Sequence, residues 1–392
     1  MPYLIIGLLV LAAIGGIVFW QMKSKKKEEE LIASQDQDNV KLIAVPVEPS
    51  PKAASPKDSV SYVRPAPPAQ SGPRRFKKIC LVCAQEFPDD YVGKCPDDGL
   101  ELSRITDYLA PGTTFSEYYE IVHPLGSGGL SNVFLAKHIS SGKEVALKLL
   151  HAHLASDSTS VQRFQREANA LSNLSHPNLV SVIDFMVSSS GVPFIVMDYL
   201  EGESLEQMLK RLGRLNWKEA AEIFVEICKG LSHAHSKGIV HRDLKPGNIM
   251  LIKDKNGNMI PKVVDFGLVK ANNIDDIGRL TETGEVFGSP MYMSPEQCQG
   301  QEIDRRSDVY SLAVVLYECL TGAPPFVGKN VISTLSMHIS SDVPPVPAEL
   351  GVPPWMVSII QQALKKDPDS RIPSIEDFGA MIMDGIRASS RK

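Results

Sequence analysis

The chain has 392 residues, of which 43% are hydrophobic and 22% are charged, and its formal net charge is −5. This composition is typical of a folded protein, and the length allows one large globular unit with additional segments. The negative net charge gives no reason to expect a nucleic-acid-binding protein.

The first predicted element is an apolar helix. Residues 3–20 carry no charged side chain, and as a helix they would span about 27 Å, enough for the core of a bilayer. A cleaved signal peptide and a buried core helix are the alternatives, but no Lys or Arg precedes the segment and four lysines follow it between residues 23 and 27. We therefore expect residues 1–21 to be a transmembrane anchor, with the rest of the chain in the cytoplasm by the positive-inside rule.

A linker is predicted for residues 22–75. It shows no apolar periodicity, and residues 45–75 contain eight prolines among Ser, Ala and Lys. Such a composition favours a semi-extended, largely disordered tether. Short Pro-rich pieces such as residues 64–68 also have the composition that docks into aromatic grooves, but a spacer is the simpler interpretation.

The cysteine spacing in residues 76–110 indicates a small zinc-ribbon-like module. Cys80-x2-Cys83 is followed after eleven residues by Cys95-x2-Asp98, so a carboxylate stands where a fourth cysteine would be expected. These four side chains form a candidate tetrahedral Zn²⁺ site, and a closed site of this kind is structural. A metal-free remnant of the ribbon and a reactive dithiol are the alternatives.

The next segment contains a glycine-rich turn of the kind that binds phosphate, followed by a lysine within an apolar strand. Residues 125–133 read Leu-Gly-Ser-Gly-Gly-Leu-Ser-Asn-Val between two strand-like runs, and glycines let the backbone approach phosphates closely, although an ordinary hairpin turn would look similar. Lys148 lies within an apolar strand, where it needs a partner. Glu167 lies at the edge of the apolar face of a predicted helix, where an ordinary surface glutamate would also be expected.

The most specific stretch is residues 241–248, which read His-Arg-Asp-Leu-Lys-Pro-Gly-Asn. Asp243 can accept a proton from a hydroxyl, Lys245 can neutralise charge on a phosphoryl group, and Asn248 can offer an oxygen to a hard cation such as Mg²⁺. Asp265 begins an Asp-Phe-Gly tripeptide seventeen residues after Asn248. Phosphoryl transfer needs mainly such positioning and charge neutralisation.

Together these motifs resemble those of eukaryotic-like protein kinases, most closely the bacterial Ser/Thr branch, over residues 118–386. The resemblance implies an α+β fold of two lobes, the first rich in strands and the second helical. It implies that Asp243 is the base and that Lys245 assists it, that Lys148 binds phosphates and pairs with Glu167, and that Asn248 and Asp265 hold Mg²⁺ or Mn²⁺. The residues that it implies for ATP binding are Leu125, Gly126, Ser127, Gly128, Val133, Ala146, Lys148, Met197, Asp198, Leu200 and Met250.

The family pattern also implies structural and regulatory roles. Glu296, in Ser-Pro-Glu where the family has Ala-Pro-Glu, would pair with Arg371. Asp308 would brace the catalytic loop, which is the stretch of residues 241–248. Arg242 would gather a phosphate on Thr281 or Thr283, which resemble an autophosphorylated pair and would otherwise be solvated loop residues. The expected partners are protein substrates, the membrane, and other copies of the chain during autophosphorylation.

Two other functions share these motifs. A pseudokinase would bind ATP as a scaffold without chemistry. The five main catalytic positions are nevertheless intact in this chain: Lys148, Glu167, Asp243, Asn248 and Asp265. A small-molecule phosphotransferase of related fold would lack the features around Glu296, Asp308 and Arg371 that build a lobe for protein substrates. Turnover of Mg·ATP onto protein distinguishes these possibilities.

Overall fold

The computed structural model describes residues 77–80, 85–88, 91, 93–96, 102–104, 109–128, 130–267 and 290–390. The predicted anchor (1–21) and linker (22–75) lie outside these ranges, and so do Cys83, Asp98, Thr281 and Thr283. Among the helices that the structure describes, none combines the length and the apolar character needed to cross a bilayer.

A three-stranded antiparallel sheet forms part of the predicted zinc-ribbon-like module. Its strands are β1 (Lys77–Ile79), β2 (Glu86–Pro88) and β3 (Ser103–Arg104), in the order β2-β1-β3. Cys80 and Cys95 are buried in one apolar cluster with Phe87. The described part of the chain contains no group of three or more potential metal ligands. Because two of the four predicted ligands lie outside it, the zinc site stays a prediction.

A six-stranded antiparallel sheet forms the first lobe, in the order β4-β5-β6-β7-β9-β8. Its inner strand β9 is buried along almost its whole length, as expected for a central strand. The strands are β4 (Thr114–Phe115), β5 (Tyr119–Ser127), β6 (Ser131–His138), β7 (Glu144–Leu150), β8 (Val182–Val187) and β9 (Pro193–Asp198).

Helix α1 (Ser158–Ser172) packs against this sheet. It begins after Asp157, whose side chain accepts a hydrogen bond from the backbone N–H of Ser160 at 2.9 Å and so caps the helix. Phe164 is fully buried on its apolar face. Glu167, expected at the edge of this face, is itself buried, with 2% of its surface exposed. A carboxylate at that depth requires a cationic or hydrogen-bonding partner.

The second lobe is helical, and its other helices pack around one central helix, α5 (Arg305–Thr321). Thirteen of the seventeen residues of α5 are buried, which identifies a helix covered on all sides. It ends at Gly322, which adopts the left-handed conformation that favours glycine. The helices are α2 (Leu205–Leu212), α3 (Trp217–Ser236), α4 (Pro295–Cys298), α5 (Arg305–Thr321), α6 (Val331–Ser340), α7 (Pro354–Ala363) and α8 (Ile375–Ser389).

A small sheet connects the catalytic loop to the Asp-Phe-Gly tripeptide. Its strands are β10 (Gly202–Ser204), β11 (Ile249–Lys253) and β12 (Met259–Val263), in that order. The backbone of Val263 exchanges hydrogen bonds with the segment after α1, donating to Asn178 O at 2.9 Å and accepting from Val180 N at 3.0 Å. The two lobes are therefore joined by main-chain hydrogen bonds close to the site. The predicted two-lobed α+β fold is confirmed.

The predicted pair between Glu296 and Arg371 lies inside the second lobe. Two guanidinium nitrogens of Arg371 approach the two carboxylate oxygens of Glu296 at 2.7 and 2.6 Å. Burial by itself would raise the pKa of Glu296, but hydrogen bonding and charge from Arg371 outweigh it, and the pKa is lowered. The bidentate geometry fixes α4 against the segment that precedes α8.

Candidate active site

The glycine-rich turn between β5 and β6 leaves open space above its backbone. A Cβ atom added at Gly126 would meet nothing within 4 Å, and one at Gly128 would meet only Ser131 O, at 3.7 Å. Neither glycine has a positive φ, so at these two positions neither the backbone conformation nor the packing requires glycine. A ligand that lies against the main chain would require it, and phosphate is such a ligand.

Braces on both sides hold this turn. Ser127 Oγ donates a hydrogen bond to Asn132 Oδ1 at 2.8 Å across the hairpin. His151, at the end of β7, lies with its Nε2 2.8 Å from Gly128 O, and its backbone N–H donates to Leu130 O at 2.9 Å. Its bond to Gly128 was not predicted, because nothing in the sequence near His151 marks it as a partner of a turn more than twenty residues away.

Four of the residues predicted to bind ATP meet in one apolar cluster. Ala146 and Met197 are buried in it, and Val133 and Leu200 pack against it half-buried. Asp198, which follows Met197 at the end of β9, forms an exposed ion pair with Lys143 at 2.9 Å. Within the described residues, this cluster lies on the sheet beside the glycine-rich turn. Leu125 is exposed, and Met250 lies on β11, half-buried and outside the cluster.

Lys148 connects the two lobes electrostatically. Its Nζ lies 2.7 Å from Glu167 Oε1 and 3.2 Å from Asp265 Oδ1. Burial would lower the pKa of Lys148, but the carboxylates of Asp265 and Glu167 outweigh it, so that the pKa is raised and the ammonium stays charged. The same charge lowers the pKa of Asp265. The predicted partnership of Lys148 with Glu167 is therefore present in the structure.

The predicted base Asp243 lies within a network of nitrogen donors. Its Oδ2 accepts a hydrogen bond from Asn248 Nδ2 at 3.2 Å and lies 3.5 Å from Lys245 Nζ. Asn248 Nδ2 also donates to the main-chain oxygen of Asp243 at 2.8 Å. These contacts hold the Asp243 carboxylate in one orientation while its side chain keeps 12% exposure. A carboxylate held in this way can accept a proton from a hydroxyl placed beside it.

One buried carboxylate on α5 attaches the catalytic loop to that helix. Asp308 is fully buried, and its oxygens accept hydrogen bonds from His241 N at 2.8 Å and Arg242 N at 2.9 Å. His235 Nε2, on α3, lies 2.7 Å from Asp308 Oδ2. Burial would raise the pKa of Asp308, but these hydrogen bonds and the neighbouring histidines reverse the shift and lower it. The predicted brace is confirmed, and His235 is an addition to it.

The catalytic loop and the Asp-Phe-Gly tripeptide are joined by His241. Asp243 N donates to His241 Nδ1 at 3.2 Å, so the other ring nitrogen, Nε2, carries the proton that is donated to Val264 O at 3.0 Å. Burial lowers the pKa of His241 and keeps this neutral tautomer. Gly267 N donates to His241 O at 2.8 Å, and the rings of His241 and Phe266 lie 4.5 Å apart.

Two residues at this junction have a strained backbone conformation. Arg242 and Asp265 have φ values of 65° and 54°, and among the described non-glycine residues only Ser116 and Glu117 share this sign. Residues other than glycine adopt this conformation at a cost, and they keep it where the surroundings hold them. Both strained residues lie directly beside groups expected to act on phosphate.

The predicted Mg²⁺ ligands suit a cation that keeps further ligands of its own. Asn248 Nδ2 is engaged by Asp243 and lies 3.4 Å from Asp265 O, so the amide oxygen is the end of the side chain that can face a cation. Asp265, whose side chain is 42% exposed, supplies a carboxylate next to it. Mg²⁺ is commonly held by one or two such oxygens together with substrate phosphates. These residues therefore fit the cation.

A match to known families supports this geometry. A family model described as the protein kinase domain matches residues 119–379. The chain is 41% identical over 273 residues to serine/threonine-protein kinase pkn3 of Myxococcus xanthus, covering 69% of this chain and 50% of that protein. It is 40% identical over 278 residues to serine/threonine-protein kinase PrkC of Bacillus subtilis, covering 71% and 42%. The chain thus spans half or less of the length of these relatives.

The fold has counterparts among solved structures. The kinase domain of Mycobacterium tuberculosis PknI superposes with a TM-score of 0.55 and 28% sequence identity, covering 71% of this chain and 99% of that domain.

We expect Asp308→Asn to destabilise the protein. The substitution keeps the volume but puts an amide NH₂ where a carboxylate oxygen now accepts a backbone N–H, so the free energy of unfolding should fall by about 1–3 kcal/mol. Because the pKa of Asp308 is lowered on folding, its contribution is present above pH 3.8 and is lost as the pH falls further. Urea unfolding measures the effect, with the exposed Asp384→Asn as the matched control. An unfolding midpoint equal to that of the control would contradict it.

Proposed function

The chain belongs to the protein kinase domain family, and we propose that it transfers the γ-phosphate of ATP to serine or threonine hydroxyls of proteins. One observation carries the proposal. Lys148, Glu167 and Asp265 meet within 3.2 Å at the base of the glycine-rich turn, and Asp243 faces the same region with Asn248 and Lys245 beside it. The groups required to hold a triphosphate and to accept a hydroxyl proton are thus assembled.

The work of the protein is to position groups and to balance charge. The turn at Gly126 and Gly128 offers backbone N–H groups to the phosphates, and the charged Lys148 ammonium neutralises phosphate oxygens. Mg²⁺, held by Asp265 and Asn248, supplies further charge neutralisation when it is bound. The apolar cluster around Ala146 and Met197 excludes water from the adenine side.

Proton transfer is assigned to Asp243. As the oxygen of the acceptor hydroxyl bonds to the γ-phosphorus, the bond between that phosphorus and the ADP oxygen breaks, and the hydroxyl proton passes to the Asp243 carboxylate. Lys245, 3.5 Å from Asp243 Oδ2, stands where it can balance the charge of the phosphoryl group in transit. The lysine two residues after Asp243 supports Ser/Thr rather than tyrosine acceptors, by resemblance to the Ser/Thr class.

We expect Asp243→Asn to lower kcat for phosphate transfer by about 10²–10⁴-fold, because the amide cannot accept the hydroxyl proton. Mg·ATP binding should persist, since the nucleotide is held by other residues. Transfer of labelled γ-phosphate to a generic Ser/Thr protein substrate and to the chain itself provides the measurement, with the exposed Asp384→Asn as control. Absence of transfer by the wild type, with intact ATP binding, would favour the ATP-binding pseudokinase instead.

Autophosphorylation at Thr281 or Thr283 is proposed as the activating step. A phosphate there would add about −1.5 to −2 charge, which Arg242, the residue before Asp243, is suited to bind. We expect the double variant Thr281→Ala and Thr283→Ala to have about ten-fold lower activity. Mass spectrometry of the chain incubated with Mg·ATP locates the phosphate, and the exposed Thr159→Ala is the control. Full activity of the double variant without phosphate in this segment would rule the step out.

The N-terminal third is proposed to hold the kinase domain at a membrane. The support for this anchor is the uncharged run of residues 3–20 with lysines directly after it. The small module is proposed to hold a structural Zn²⁺, and the burial of Cys80 and Cys95 in one apolar cluster supports this second proposal. Anchoring would raise the local concentration of chains and favour phosphorylation between neighbours.

One preparation of the full chain tests both proposals about this part. We expect the chain to stay with carbonate-washed membranes, and removal of residues 1–21 to release it. We expect about one zinc ion per chain after purification without chelator, and its loss in Cys80→Ser. Wild-type chain in the carbonate supernatant would contradict the anchor, and purified wild type without zinc would contradict the metal site.

A further inference from the structure

The peptide that leads into Asp243 begins from a strained residue. Arg242 has a φ of 65°, a conformation that its side chain disfavours. Asp308 Oδ1 accepts the backbone N–H of Arg242 at 2.9 Å, which fixes the peptide unit before this residue. The carbonyl of Arg242 lies in the next peptide unit, together with the N–H of Asp243. The orientation of that unit determines where the Asp243 side chain points.

The carbonyl is held by a residue from another element. Gln297, on α4, donates from its Nε2 to Arg242 O at 2.8 Å. At the other edge of the same peptide, Asp243 N donates to His241 Nδ1 at 3.2 Å. The peptide before the base is therefore held at its oxygen and at its nitrogen, and rotation of its plane would break both hydrogen bonds.

The same Gln297 amide also caps α4. Its Oε1 accepts a hydrogen bond from Ser294 N at 2.9 Å, and its backbone N–H donates to Ser294 Oγ at 3.3 Å. This reciprocal arrangement is a capping box, which glutamate serves as well as glutamine. The cap therefore does not explain why the side chain is an amide. The hydrogen bond to Arg242 does, because only the amide has N–H groups to donate.

We propose that Gln297 is a positioning residue for phosphate transfer, which acts by fixing the Arg242–Asp243 peptide and thereby the Asp243 carboxylate. The inference rests on the proposed function for its kinetic consequence, but the structural constraint exists with or without turnover. The hydrogen bond from Gln297 also connects α4 to the peptide that precedes Asp243. Glu296, the neighbour of Gln297, is anchored to the buried Arg371, so the donor is presented from a fixed support.

The decisive variant is Gln297→Glu, because a carboxylate keeps the cap and cannot donate to Arg242 O. We expect its thermal midpoint to stay within about 2 °C of the wild type, because the capping box is retained. We expect kcat to fall about ten-fold while KM for ATP is unchanged, because the nucleotide is bound by Lys148 and the glycine-rich turn. Gln297→Asn, whose shorter amide keeps the donor, should recover part of kcat.

A second variant separates positioning from folding. Ser294→Ala removes the hydroxyl of the cap but leaves the Gln297 amide in place, so it should lower the thermal midpoint and leave kcat near the wild-type value. If Ser294→Ala instead lowers kcat as much as Gln297→Glu does, the loss of activity follows from damage to the cap, the role is structural and the proposal is overturned.

A readout independent of turnover completes the test. Hydrogen–deuterium exchange of the peptide covering residues 238–246 should be faster in Gln297→Glu than in the wild type and in Ser294→Ala. Equal exchange and equal kcat in Gln297→Glu and wild type would overturn the proposal. A wild type that transfers no phosphate would contradict the proposed function alone, since the exchange comparison would still decide whether Gln297 fixes this peptide.

Discussion

The arrangement of the site depends on one buried carboxylate. Asp308 lies on the central helix α5, fully removed from water, and its charge is compensated by two backbone N–H groups of the catalytic loop and by His235. A buried charge without such partners would be costly, so the helix and the loop require each other. The catalytic loop has no regular structure of its own before residue 246, and it acquires a single conformation from this attachment to the core.

Three hydrogen-bonded connections extend that conformation outward. His241 binds Val264 and Gly267 and so brings the Asp-Phe-Gly tripeptide alongside the loop. Asp265 reaches Lys148 in the strand-rich lobe, and Lys148 reaches Glu167 on α1. A position of α1 that moves Glu167 away would leave Lys148 with one carboxylate instead of two, and the placement of phosphate would change with it. The strain at Arg242 and Asp265 is retained because these connections hold the backbone from several sides.

The second lobe contains a buried ion pair that fixes α4, the helix that contacts the catalytic loop. The Glu296–Arg371 pair is buried and bidentate, and Ser307 adds a hydrogen bond at 2.5 Å to the same carboxylate. Such a pair gives little net stability but penalises any rearrangement that separates its members. Ser294, which replaces the alanine of the family pattern, is the N-cap of α4 and is fully buried. The substitution therefore has a structural use, because its hydroxyl completes the capping box with Gln297.

The sequence by itself identified the groups that are proposed to carry the chemistry. Asp243, Lys245, Asn248 and Asp265 stand at spacings where each has a separate role, and Lys148 in an apolar strand already required an acidic partner. The burial of Glu167, the attachment of His235 to Asp308, and the hydrogen bonds from His151 and Gln297 to distant carbonyls were decided by tertiary structure alone. A capping box could be read from Ser-Pro-Glu-Gln, but not the carbonyl that its amide would meet. The physical reason is that local patterns specify donors and acceptors, whereas the pairing of groups more than twenty residues apart depends on how the helices and strands pack.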